Sequence, residues 1–556
     1  MPSVHRQAVW AVGNPTDWPT GLSAGGAGAG RTGGMHPLKA LALPAVGLAG
    51  WAAQNAFQKK HAILRTFPVL GNARYALETI GPELRQYIVA SNDQERPFNR
   101  DQRSWIYAAA KQQNTYAGFG TDNNVEFDEG WLVVKHRTFS SEAPPTSHGH
   151  PGDPALLPSA KVLGGPRGRR HAFRPESVVN VSAMSYGSLS GRAVRAINQG
   201  VAMAGAMHNT GEGGLSVHHQ QGGDLIFQVG TGYFGCRDEK GRLSIPMLVE
   251  LTQANPVRAI EIKLSQGAKP GLGGMLPGDK VTPEIAAIRG VPVGQDVASP
   301  SRHSAFNSVD SMLDVVEEIA EATGLPVGIK SAIGELNMWE ELADMMIGGE
   351  RGVDFITVDG GEGGTGAAPS LFSDHVALPF RLGFSRVYST FARAGITDKV
   401  TFIGAGKLGI PSNGIVAMAL GADMLYVARE AMMAVGCIQA QKCHTGACPT
   451  GVATQNPWLE RGIDVPSKAQ RTRNYIRELR AQLLRLAEAV GVAHPGFVTT
   501  DDLELMWGTR EGRSLREVYN YELGWGGVPE ELRHEVIDLM HELTQPDQTD
   551  DSPVEA

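Results

Sequence analysis

At 556 residues the chain is too long for one simple core, given a prior of roughly 150 residues per domain or 200–250 for a barrel. With 42% hydrophobic and 19% charged residues, most of it belongs among globular proteins. A formal charge of -8 without a long basic run argues against nucleic-acid binding as the main activity, and four cysteines are too few for a disulfide scaffold.

Residues 1–34, including "GLSAGGAGAGRTGG", are rich in glycine and poor in large apolar side chains, which predicts a disordered tail. Met35 is an alternative start, and no secretory signal is evident. Residues 35–60 predict an apolar helix. Its core from Ala40 to Ala53 is shorter than the roughly 20 residues that cross a bilayer. Two readings stay open, a packed or surface helix and a weak membrane anchor. In the second, the "QKK" flank places the catalytic part on the cytoplasmic side. Residues 61–170 read as a mixed α/β region. "GPELRQYIV" and "RDQRSWIYAAAKQ" are helical, "GWLVVKHRTF" alternates like a strand, and 144–170 is loop.

From Val178 the rhythm changes. Short apolar runs occupy 178–182, 206–210, 225–229, 259–264, 326–330, 355–359, 400–404 and 424–428, each followed by glycine-rich loop and helical sequence. Continuous apolar runs suit strands buried on both faces. Eight of them alternating with helices predict an α/β fold, a (β/α)8 barrel over 171–460. The second and third runs carry the weakest pattern. Residues 461–556 predict a C-terminal helical region, with Ile476, Leu479, Leu483, Leu486 and Val490 at helical spacing before Gly491, and an acidic frayed tail after Gln545.

A barrel of this kind carries its chemistry in the loops after the strands. Those loops read "SAMSYGSLS", "NTGEGG", "SQGAKPGLGG", "DGGEGGTGAAP" and "GAGKLG". Such glycine density suits backbone amides converging on phosphate, and neither a Walker nor a Rossmann motif is present as a unit. A phosphate-bearing cofactor such as FMN fits, held by Met184, Ser185, Gly360, Gly361, Gly404, Gly406, Ala428 and Arg429; the alternative is that the glycines only make tight turns. Lys330, ending a buried strand, needs an anionic partner. It reads either as a cation at the flavin N1/O2 edge or as half of a structural ion pair. Lys269 with Gln266 is a candidate clamp for a substrate carboxylate, and Glu212 a candidate polarising group or ion-pair partner.

Three of the four cysteines, Cys437, Cys443 and Cys448, lie in "GCIQAQKCHTGACPTG". Zinc sites usually show a CxxC knuckle and four ligands, which this stretch lacks. Three thiolates on one loop suit a [3Fe-4S] cluster; Cys236 or His444 as a fourth ligand would give [4Fe-4S], and buried free thiols are the alternative.

The strings "MSYGSLS", "NTGEGG", "KLSQGAKPG", "DGGEGGTGAAP" and "GCIQAQKCHTGACPTGVATQNP" together resemble the FMN-binding synthase domain of glutamate synthases over roughly 170–460. The resemblance implies an FMN barrel whose [3Fe-4S] cluster is ligated by Cys437, Cys443 and Cys448. It places Lys330 near the flavin and Gln266 and Lys269 near 2-oxoglutarate. It implies reductive amination of a 2-oxo acid to an amino acid, with electrons from ferredoxin or a separate NAD(P)H-dependent reductase. No N-terminal glutaminase region is evident, so ammonia comes from solution or a separate glutaminase subunit. The family pattern "QGAKPGEGGQLPG" is broken at Leu272 and Met275, which makes the substrate side less polar. A looser resemblance is to stand-alone members of the family, through the amino-terminal "HAILRTFPVLG" and "ERPFNRDQRSW". Two further readings follow: the same cofactors acting on another amino or oxo acid, and a membrane-associated electron-transfer subunit.

Overall fold

All eight apolar runs form strands, and each strand lies within two residues of its expected bounds: β1 Val179–Val181, β2 Met207–Asn209, β3 Asp224–Val229, β4 Val257–Lys263, β5 Val327–Ala332, β6 Phe355–Asp359, β7 Thr401–Ala405 and β8 Met424–Val427. They pair in parallel, each with the next, and β8 returns to β1 to close the barrel. Val179, Phe227, Ile260, Ile329, Ile356, Phe402 and Leu425 are fully buried, as expected for strands covered on both faces. The structure, a computed structural model, describes residues 37–59, 61–116, 118–139, 156–508 and 510–544. The expected disordered stretch 1–34, the alternative start at Met35, part of the loop 144–170 and the acidic tail after Gln545 lie outside the described residues.

The chain divides into two compact units, 1–89 and 90–556. The first contains helices Pro37–Phe57, Ala62–Thr66 and Gly71–Leu84. Within it Asn55 Nδ2 donates to Pro68 O at 2.7 Å, fixing the turn between the first and third helices. Among the described residues no helix is long and apolar enough to cross a membrane.

The second unit holds the barrel. Helix Arg100–Lys111 opens with a capping box in which Asn99 and Gln102 each bond the other's backbone N–H. Strand Leu132–Val134 pairs with Leu503–Trp507, which continues into Glu511–Ser514, so the C-terminal region adds a β-hairpin to its helices. The long helix Val465–Val490 starts at an Asp464 cap and ends where Gly491 adopts φ +87°. It packs beside helix Gly191–Met203, burying Ile476, Leu479 and Leu483.

Two departures from regular alternation shape the mouth. Residues 210–223, between β2 and β3, form no helix, contrary to the helical stretch expected there. That loop is rich in glycine, and Gly211 and Gly214 both have positive φ, which breaks a helix. Between β4 and β5 the chain makes a long excursion before its barrel helix Val309–Thr323. This roof contains the pair Met275–Leu276 with Val297–Ala298, a 3-10 turn at Gly278–Lys280 and helix Pro283–Arg289.

Candidate active site

The ends of the strands surround a cavity of about 480 Å3, within the ~300–1,000 Å3 range of small-molecule sites. Of the residues singled out above, Met184, Ser185, Glu212, Gln266, Lys269, Lys330, Gly406, Ala428, Arg429, Cys437, Cys443 and Cys448 line it. Gly360, Gly361 and Gly404 do not. A Cβ at Gly361 would meet Ala377 O at 2.7 Å, one at Gly404 would meet Leu408 Cδ1 at 2.7 Å, and one at Gly360 would run into Glu362 and Phe380. These three glycines let loops pack against protein, and the loop after β6 reaches the cavity further on, at Gly363, Gly364 and Gly366.

One end of the cavity is cationic. Lys263, the last residue of β4, and Lys330, two residues before the end of β5, are register partners, so two buried lysines stand side by side. Like charges in that relation repel, and each is balanced by its own carboxylate. Lys263 Nζ lies 2.7 Å from Glu212 Oε1, and Lys330 Nζ lies 3.6 Å from Asp359 Oδ2. Lys263 also donates to Gln266 Oε1 at 2.6 Å, which leaves the Gln266 amide N–H2 as its outward-facing donor.

Lys269 and Arg289 complete this end. Lys269 is 3% exposed, and among the described residues no carboxylate lies within ion-pair distance of its ammonium. Burial, then the Lys263 charge, lowers it from the ordinary lysine range, with Glu212 opposing. Arg289 donates from Nη2 to Tyr186 O at 3.3 Å, while its buried Nε finds no partner among the described residues. Burial brings its guanidinium down to about 10, again against Glu212. Burial opposes ionisation of Glu212, yet Lys263, Lys269 and Arg289 outweigh it and hold the carboxyl below its usual range. Four cations against the two carboxylates of Glu212 and Asp359 leave a net positive pocket suited to an anionic ligand.

Sequence reasoning missed Lys263 and Arg289. Lys263 carried the same signal as Lys330, a lysine closing a buried apolar strand. Arg289 had no local signal; the roof brings it in.

Roof and loops are tightly fitted. Gly267 N donates to Asp359 Oδ2 at 3.0 Å, and a Cβ at Gly267 would overlap Gly360 O. A Gly267→Ala substitution is therefore expected to cost about 3 kcal/mol, toward the upper end of overpacking. It should also weaken ligand binding, since the loop carries Gln266 and Lys269. Thermal unfolding together with ligand titration checks both effects.

The three thiols line the same cavity. Lys280 Nζ, from the roof, donates to Cys443 O at 2.7 Å. Burial pushes the Cys437 thiol up to about 12 and raises Cys443 as well. Burial also opposes the Cys448 thiolate, but backbone N–H groups of Ala453, Thr450 and Val452 and the Thr450 hydroxyl prevail and hold it below its ordinary value. His444 lines the cavity, whereas the fully buried Cys236 does not. Among the described residues no group of three or more His, Cys, Asp or Glu side chains converges as a single metal ion would require. Of the two apolar departures, Met275 lines the cavity and is 50% exposed, and Leu272 lies outside the lining.

Elsewhere in the lining, Arg429 Nη2 donates to Glu362 O at 2.5 Å, and its guanidinium sits 5.1 Å from the Phe98 ring centre. Lys407 Nζ lies 5.1 Å from the same ring. Both cations border the cavity near Gly406 and Ala428.

Residues 167–493 match the family described as "Conserved region in glutamate synthase". The chain belongs to the glutamate synthase family. The matched region holds every barrel strand, the roof and the cysteine loop. "Glutamate synthase large subunit-like protein YerD" of Bacillus subtilis is 36% identical over 484 residues, covering 82% of this chain and 92% of that protein. "Archaeal-type glutamate synthase [NADPH]" of Thermotoga maritima is 34% identical over 357 residues, covering 64% of this chain and 65% of that protein. "Archaeal glutamate synthase [NADPH]" of Methanocaldococcus jannaschii is 34% identical over 321 residues, covering 57% and 59%. The chain thus spans nearly all of the YerD glutamate synthase relative, but under two thirds of these two [NADPH] enzymes.

Proposed function

We propose that the chain is a glutamate synthase-type oxidoreductase that reductively aminates a 2-oxo acid, 2-oxoglutarate to glutamate, with FMN and a [3Fe-4S] cluster as resident cofactors. The observation that carries this reading is a single cavity lined both by three cysteines and by Lys263, Lys269 and Arg289. When bound, FMN supplies hydride-transfer chemistry and the cluster supplies one-electron entry from outside.

Met184, Ser185 and Lys330 are the residues we assign to the flavin ring, and Gly406, Ala428 and Arg429 to its phosphate. Gly360, Gly361 and Gly404 shape that end from behind. Cys437, Cys443 and Cys448 are the cluster ligands. A mononuclear ion would need its donors to converge, which they do not among the described residues, whereas a cluster distributes its thiolates over several irons. Lys269 and Arg289 pair with the substrate carboxylates. Lys263 holds Gln266 and Glu212 in place, so that the Gln266 amide donates to the bound acid and Glu212 stays ionised beside it.

Electrons come from ferredoxin or a separate NAD(P)H-dependent reductase, and ammonia from solution or a separate glutaminase subunit. The test is an anaerobic assay with reduced ferredoxin, ammonia and 2-oxoglutarate. Glutamate formation is the expected result; its absence with FMN and cluster bound overturns the substrate assignment. A second reading, another oxo or amino acid, is favoured by the half-exposed Met275 in the lining. A selective perturbation of the flavin spectrum by 2-oxoglutarate, within a panel of oxo acids, would exclude it.

A further inference from the structure

We propose that the segment Glu95–Tyr107 is a clasp that positions the cysteine loop, with Gln439 as its catch and Glu95 as the group that sets the charge beside Cys437. The inference rests on the cluster assigned above. It concerns residues that lie outside the matched region 167–493.

The loop from Cys437 to Lys442 forms no regular secondary structure, and two of its non-glycine residues, Gln439 and Gln441, have φ of +57° and +54°. Such conformations cost of order 1 kcal/mol or more each and persist where surroundings over-determine them. The surroundings here come from one distant stretch of chain. Gln439 is 7% exposed and its amide is fully used. Its Oε1 accepts from Phe98 N at 3.0 Å, and its Nε2 donates to Glu95 Oε1 and Phe98 O, both at 2.9 Å. The other Glu95 oxygen pairs with Arg103, buried on helix Arg100–Lys111. Tyr107, one turn further along that helix, donates from its hydroxyl to Cys437 O at 2.8 Å. Gln439 N in turn donates to Cys437 Sγ at 3.4 Å, which ties the residue that holds the Glu95–Arg103 pair to the sulfur itself. Phe98 reaches on to the cavity wall between Lys407 and Arg429. A loop whose backbone is bent against its own preference is thus held by side chains that no thiol ligand supplies.

The experiment uses the full chain purified anaerobically. Removing outer hydrogen-bond support for a metal ligand typically costs 10–100-fold in metal affinity. In Gln439→Ala, iron loss to a chelator is expected to accelerate at least about tenfold, while FMN per chain stays at the wild-type level. Glu95→Gln keeps the shape and removes the charge. Its cluster should remain, with an altered EPR signature and a more positive reduction potential, because the Arg103 cation then loses its counter-charge. Gln439→Ala that keeps wild-type chelator resistance, or that loses FMN and iron together, overturns the clasp. So does Glu95→Gln with an unchanged EPR signature and potential. A wild-type protein that takes up no iron on anaerobic reconstitution instead overturns the cluster reading, and the clasp with it.

Discussion

A Cys443→Ser variant is expected to keep its flavin and to lose turnover with one-electron donors by at least about a hundredfold, since loss of a ligand should exceed the 10–100-fold typical of losing its outer support. Serine preserves the Cys443 backbone, so the bond from Lys280 to its carbonyl survives and the roof stays anchored. The sulfur alone changes. Flavin reduction by a chemical reductant that bypasses the cluster should proceed as in the wild type. EPR, iron content and donor-specific rates on one preparation check the prediction, and an intact cluster signal would refute the ligand assignment.

Lys263→Met is expected to be the most damaging single change at the substrate end. It leaves the partly buried Glu212 without its direct ion-pair partner, at a cost of about 3 kcal/mol, the lower end for a broken buried pair, since Lys269 and Arg289 remain near it. It also frees Gln266, and misplacement of about 1 Å can cost roughly a hundredfold in rate. The pH dependence follows in sign. In the wild type the Glu212 carboxyl is held below its usual range, so its contribution to stability is present above the unfolded-state value. That contribution is lost as pH falls through the lower folded-state value. Without Lys263 the largest opposing charge is gone and burial raises the group. Acid destabilisation should then begin at higher pH than in the wild type. Urea unfolding across the acidic range, with kcat and KM at neutral pH, measures both effects.

The strands were legible because a parallel barrel buries them on both sides, so runs such as "FITVD" and "VTFIG" announce themselves without alternation. Even "AMHNT", with a three-residue strand and a buried histidine, was placed. The loop after β2 was not, because helical continuation is the default in such repeats, although its glycines had tight turns as one of their two readings. Gly360, Gly361 and Gly404 pose a related question. Glycine marks close approach, and the sequence does not say whether the approaching atom belongs to a ligand or to Phe380. Lys263 was legible in principle, and Arg289 only through tertiary structure. The clasp was visible as a helix but not as a partner of the cysteine loop, since Glu95 and Gln439 are 344 positions apart.

The roof between β4 and β5 carries Lys269, Met275, Lys280 and Arg289 in one uninterrupted stretch of chain. The barrel strands supply the fixed frame, while this single insert supplies a large share of the cavity wall and, through Lys280, one brace of the cysteine loop. A lineage could therefore reshape the cavity by rewriting that one passage around a retained Lys280, and a grafted roof from a relative is the natural unit in which to test an exchange of specificity.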